Sequence, residues 1–197
     1  MKKSKILNIA FIGIFAAIIA IVSFTPLRTL GLEITFSMVP VAIGAIAFGP
    51  TVGAVLGGVF GLVSFLQCFG YSPFGAVLLS IDPLLTAIVC IPTRILAGLI
   101  AGLVFKAMNK GGKLTYAAYP TAALLAPLLN TVFFMGTLVL CFYNTEYIQG
   151  FVNMLGAANP FTFIILFTGV NGLVELGCGF AIAYPAALAV RKVIRKA

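Results

Sequence analysis

Two charged residues, Arg94 and Glu175, stand inside long apolar stretches of this chain. A charge near the middle of a hydrocarbon layer costs about 2.5 kcal/mol or more, so such residues turn toward a protein interior or a wet cavity. Arg94 is twelve residues from both Asp82 and Lys106, about 18 Å from either end of its run at 1.5 Å per residue. By the same ruler Glu175 is about 24 Å from Arg191, and Asn130 about 21 Å from Tyr116. Asn171 precedes Glu175 by four positions and shares its helix face. A guanidinium at this depth suits a carboxylate, which it holds through two parallel hydrogen bonds. Glu175 supplies acceptors, and Asn130 and Asn171 supply both donors and acceptors. The four residues can therefore line a polar cavity; the alternative is an Arg94–Glu175 ion pair that pins two helices and binds nothing.

Gln67, Ser64, Ser80 and Asp82 gather at the same end of the neighbouring stretches. Asp82 before Pro83 also fits a helix start, with the aspartate as N-cap and proline in the first turn. Catalysis has little to stand on. The chain has no histidine, which removes the serine–histidine dyad and most zinc sites, and no cofactor or metal cluster is expected. Cys68, Cys90, Cys141 and Cys178 lack C-x-x-C spacing and read as small packing residues. A nucleotide-binding loop is also missing, so ATP hydrolysis would fall to another protein.

The elements that must position these groups follow from composition. With 62% hydrophobic and 8% charged residues in 197, the chain reads as an all-α integral membrane protein forming one domain over residues 1–197. Six stretches approach a bilayer span: Ile6 to Phe24, Phe36 to Phe48, Thr51 to Leu66, Ile81 to Lys106, Tyr116 to Phe142 and Pro160 to Val190. Gly49-Pro50 breaks the second from the third. The lysine-rich start is followed by no small-x-small cleavage site, so it reads as an uncleaved first helix. Three basic clusters, at Lys2, Lys3 and Lys5, at Lys106, Lys110 and Lys113, and at Arg191, Lys192, Arg195 and Lys196, fall on one side of a six-helix count. That side, with both termini, is expected to be cytoplasmic. The excess of basic residues lies at helix ends rather than on a surface suited to nucleic acid. The connections Thr25 to Thr35, Gln67 to Ser80 and Tyr143 to Asn159 then face outward, as lids or as plain loops.

Small residues four apart mark two helices. Gly13 with Ala17, and Ala16 with Ala20, make a flat strip on the first, either for a separate membrane subunit or for this protein's own helices. Gly53, Gly57 and Gly61 on the third predict close backbone packing.

With these residues in view, the chain resembles the substrate-binding S components of energy-coupling factor (ECF) transporters over nearly its whole length. The most specific part runs from Ile34 to Phe65, where Phe36-Ser-Met-Val-Pro40, Gly44, Gly49-Pro50 and Gly53-Ala54 are similar to the riboflavin and pantothenate branches. The resemblance implies a multi-pass, high-affinity vitamin-binding subunit in the cell membrane of a prokaryote, not an enzyme. It implies as partners a transmembrane coupling protein and two cytoplasmic ATPases, and a pocket near the external face capped by the loop between the first two helices. The coupling protein would meet Ala16 and Ala20, or Gly13 and Ala17. Riboflavin-type members carry a lysine in the sixth helix shortly after an asparagine, where this chain reads Asn171-Gly-Leu-Val-Glu175. The stretch from Gln67 to Ala107 resembles pantothenate-type members, with Arg94 for the carboxylate and Asn130, Asn171 and Glu175 for the hydroxyls and amide. Riboflavin or another vitamin, and an assembly subunit without any small ligand, are the alternatives.

Overall fold

The computed structural model describes residues 2–24, 28–29, 32–33, 36–111 and 113–196, with side chains over 9–24, 36–111, 115–169 and 171–193. The described chain is helical: α1 (Lys2–Ser23), α2 (Met38–Phe48), α3 (Pro50–Gln67), α4 (Pro73–Ile81), α5 (Pro83–Met108), α6 (Lys113–Phe142), α7 (Glu146–Met154), α8 (Pro160–Cys178) and α9 (Tyr184–Lys196). A π-helical turn, Gly179–Ala183, joins α8 to α9, and two two-residue strands, Arg28–Thr29 and Leu32–Glu33, pair antiparallel. The expected capping loop from Thr25 to Thr35 otherwise lies outside the described residues. The side chains of Lys2, Lys3, Lys5, Lys113, Arg195 and Lys196 do so as well.

Four helical stretches are long and apolar enough to cross a membrane: Pro50–Gln67, Pro83–Met108, Thr115–Phe142 and Asn171–Val193. Ile9–Ser23, Met38–Phe48 and Pro160–Gly169 are shorter apolar pieces. The structure corrects the sequence reading at three places. The stretch read as beginning at Ile81 is broken at Asp82, whose carboxylate caps α5 by accepting from Leu84 N and Leu85 N at 2.9 Å each. Residues read as connections contain α4 and α7, each nine residues long, too short for a search built on bilayer spans. The last apolar run is interrupted by the π turn, where Gly179 packs on α6. A Cβ there would meet Ala123 O at 2.9 Å, a carbonyl left without a helix donor because Pro127, four residues on, has no N–H.

The glycines of α3 do what their spacing implies. A Cβ at Gly53 would lie 2.5 Å from Gly98 O, and one at Gly61 would lie 2.8 Å from Ile91 Cα. Between them, a Cβ at Gly57 would clash with Arg94 O, and the Gly102 position abuts Pro50. Helices α3 and α5 thus meet backbone to backbone along two turns, with no side chains between them. Helix α2 is apolar all round and buried from Met38 to Ile46 except at half-buried Val39, as befits a central helix.

Two hydrophobic clusters result. One joins α1, α2, α3, α5, α6 and α9 around Phe15, Ile19, Val41, Leu56, Phe60 and a run of small residues that includes Ala97, Ala101, Ala122 and Ala126. The other joins α4 and α7 to α5, α6 and α8 through Phe74, Met135, Leu138, Phe142, Ile148 and Phe167.

Gly57→Ala is expected to lower the stability of the detergent-solubilised protein by about 1–3 kcal/mol, the range for overpacking a close contact. Gly136→Ala, where a Cβ meets nothing within 4 Å, should leave it nearly unchanged. Paired thermal-denaturation curves check both, and equal midpoints for the two variants would contradict the glycine seam.

Candidate functional site

A cavity lies against the second cluster, between α3, α4, α5, α6 and α8. Four helices supply its polar wall at helical spacing: Ser64 and Gln67 from α3; Thr86, Cys90 and Arg94 from α5; Asn130 and Thr131 from α6; Thr168, Asn171 and Glu175 from α8. Cys68 and Ser72 add to it beyond the end of α3. Phe74 and Leu78 of α4, with Val89, Phe134 and Met135, form the apolar part. All five residues expected from the sequence to bind a ligand, Arg94, Asn130, Asn171, Glu175 and Gln67, therefore line one cavity, and each is buried.

Arg94 is held by its own helix. Its Nη1 donates to Val89 O at 3.0 Å, to Cys90 O at 2.9 Å and to Thr93 Oγ1 at 3.4 Å. Pro92 lies inside this turn and has no N–H to donate to Ile88 O, the carbonyl four residues back. The guanidinium carbon also sits 5.0 Å from the Phe60 ring centre and 4.8 Å from that of Phe134. Ring faces and carbonyl dipoles thus stabilise a buried cation. No described carboxylate forms an ion pair with it, and Nε is buried without a hydrogen-bond partner. Asn130 Oδ1 is likewise buried and unpartnered among the described residues.

Gln67 has a second task. Its Nε2 donates to Ser23 O at 2.6 Å, and Tyr71 Oη donates to Phe24 O at 2.5 Å. Both bonds occupy carbonyls at the end of α1, which have no donor within their own helix. Ser23 Oγ meets Ser37 Oγ at 2.8 Å, so the same point ties α1 to the start of α2. On the other side of α1, Gly13 and Ala17 are exposed, and a Cβ at Gly13 would meet nothing within 4 Å. Ala16 and Ala20 are half-buried. The outward strip is thus the Gly13–Ala17 register, flanked by exposed Ile14 and Ile18.

The aromatic cluster over the cavity ties α4 to α7 and α8. Phe74, in the wall, lies 5.7 Å from Tyr147, 6.0 Å from Phe151 and 5.7 Å from Phe167, centre to centre. Burial pushes the Tyr147 phenol above its ordinary value, so it stays a neutral hydroxyl at physiological pH.

Thr86, Thr131 and Thr168 escaped the sequence reading. A threonine in an apolar helix is ordinary by type; spacing on one face could have marked Thr86, eight before Arg94, and Thr168, seven before Glu175, but not Thr131, which directly follows Asn130.

Residues 7–187 match the family described as ECF transporter, substrate-specific component. The chain is also 32% identical over 160 residues to the pantothenic acid transporter PanT of Lactococcus lactis subsp. cremoris (strain MG1363), covering 74% of this chain and 79% of that protein. The chain belongs to the ECF transporter substrate-specific component family, as its resemblance implied, and is a membrane-embedded transport subunit.

In ligand-free protein, Arg94→Met is expected to change stability by less than about 1 kcal/mol, because no carboxylate is left unpaired when the cation goes. A structural ion pair would instead lose about 3–5 kcal/mol on removal of one partner. Chemical or thermal denaturation without added ligand separates the two.

Proposed function

We propose that this protein is the pantothenate-binding subunit of an ECF-type importer, with Arg94 holding the ligand carboxylate and Asn130, Asn171, Glu175 and Gln67 taking its hydroxyls and amide. The observation that carries this reading is Arg94: a buried cation at the wall of a cavity, paired with no described carboxylate and with Nε unpartnered. A carboxylate arriving from outside supplies the missing acceptor and the missing charge. The name of the Lactococcus lactis relative supports the choice of pantothenate.

The remaining parts of the reading concern assembly. The chain crosses the membrane six times, through α1, α2, α3, α5, α6 and the α8–α9 unit, with both termini in the cytoplasm and the cavity toward the outside. The distribution of charge supports this orientation. Lys106, Lys110, Arg191 and Lys192 stand at the end of the bundle near Pro50, and the cavity lies toward the opposite end, where Asp82 caps α5. Helix α2, about 16 Å long at 1.5 Å per residue, counts as a crossing only together with the residues before it. The Gly13–Ala17 strip docks on a transmembrane coupling protein, since small residues let helix backbones approach. Two cytoplasmic ATPases supply the energy.

In detergent, pantothenate should raise the unfolding temperature in proportion to the logarithm of its excess over Kd, and riboflavin, biotin, thiamine and folate should not. Arg94→Ala should weaken pantothenate binding by roughly 10- to 150-fold, the worth of a hydrogen bond to a charged group. It should leave the weak binding of pantothenol, the alcohol that replaces the carboxylate, unchanged. Undiminished pantothenate binding by Arg94→Ala would remove the carboxylate assignment; a shift with a different vitamin would keep the transport reading and replace the ligand.

A further inference from the structure

The cavity wall is uneven in a way that composition alone does not reveal. A hydroxyl has one proton to give and two lone pairs to receive with. Thr86 Oγ1 donates its proton to Asp82 O at 2.8 Å, Thr131 Oγ1 to Pro127 O at 3.2 Å, and Thr168 Oγ1 to Ile164 O at 2.5 Å. Each is a bond to the carbonyl four residues back in its own helix, and each threonine lines the cavity. Ser64 Oγ donates across the helix interface to Cys90 Sγ at 4.0 Å, and Gln67 uses one of its two amide protons on Ser23 O. What the four hydroxyls can still offer is lone pairs. Asn130 Oδ1, buried and without a donor, adds an acceptor, and the Glu175 carboxylate is acceptor-only when ionised. Donors at the wall come from the Arg94 guanidinium, the Asn130 and Asn171 amides, the second Gln67 amide proton and the Ser72 hydroxyl, which accepts from Gly75 N and keeps its own proton.

We infer that Thr86, Thr131 and Thr168 are specificity-determining residues. Their protons are held by the helix backbone, so that the cavity accepts hydrogen bonds and selects a ligand that carries several O–H or N–H donors beside a single carboxylate. This deepens the proposed function and rests on it. Pantothenate carries two hydroxyls, one amide N–H and one carboxylate, which matches acceptors on three helices and a cation on one. A carboxylic acid of similar size without hydroxyls leaves those acceptors unpaired, and an unpaired buried acceptor is penalised more heavily than a formed bond is rewarded. Discrimination therefore comes from the threonines and Asn130, while Arg94 sets where the carboxylate sits. The geometry on α8 fits this division of labour: Thr168, Asn171 and Glu175 recur at intervals of three and four and present one polar stripe to the cavity.

The test is a comparison of two ligands on one set of variants. Calorimetric Kd values are measured for pantothenate and for an analogue whose two hydroxyls are replaced by hydrogen, on the unaltered protein, on Thr131→Val, Thr168→Val and Thr86→Val, and on the matching Thr→Ser variants. The unaltered protein should bind pantothenate tightly and the analogue at least 100-fold more weakly. At least one valine variant should lose about 5- to 30-fold for pantothenate with little change for the analogue. Its serine counterpart, which restores the hydroxyl, should return to near the parent affinity. Equal losses for both ligands would mean that the threonines matter for shape alone and would overturn the inference, as would equal affinity of the unaltered protein for the two ligands. Absence of pantothenate binding by unaltered protein would sink the vitamin reading and this one together, whereas the other failures leave the vitamin reading standing.

Discussion

The contact of α3 with α5 is the constraint from which the cavity follows. Gly53, Gly57 and Gly61 let the two backbones touch, and the central one rests on the carbonyl of Arg94 itself. A side chain at Gly57 would push α5 away at the very residue that carries the buried charge. With the backbone of Arg94 fixed in this way, its guanidinium lies beside Phe60 of α3 and reaches Phe134 of α6. The polar wall is thus set by an interface that contains almost no side chains. Bilayer lipid is as apolar as leucine, so packing of this kind, rather than hydrophobic burial, decides which helices stay together.

The charge is then made tolerable by means that leave it available. The Val89 and Cys90 carbonyls and two aromatic faces stabilise the guanidinium, yet none of them neutralises it. An internal carboxylate would satisfy Arg94 more fully and would also compete with any anionic ligand. Glu175 shares the cavity without closing on Arg94 as an ion pair, which keeps positive and negative groups on different helices of the same wall. A ligand with a carboxylate at one end and donors along its body matches that separation.

How much of this was legible in the sequence depends on which residue is asked about. Arg94 and Glu175 announced themselves because charge is expensive in hydrocarbon, and Asn130 and Asn171 followed from depth and helical period. Asp82 before Pro83 was readable as a cap, since that role depends on local chain geometry alone. The glycine seam was readable from its four-residue period. Helices α4 and α7 were not, because nine residues fall well short of a span and their apolar faces look like loop composition until Phe74, Ile148 and Val152 are seen packed together. The threonines were invisible for another reason. Their identity says that a proton and two lone pairs exist, but only the bond to the carbonyl four residues back says which of these faces the cavity.

Gln67 links the cavity wall to α1. Its amide Nε2 donates to Ser23 O, the last carbonyl of α1, and the residue also lines the cavity. Tyr71 grips the next carbonyl, and Ser37 ties the same end to α2. The outward strip at Gly13 and Ala17 belongs to that same helix, which enters the interior cluster through Phe15 and Ile19. The cavity wall and the outward strip are thus joined through one short set of hydrogen bonds at the end of α1.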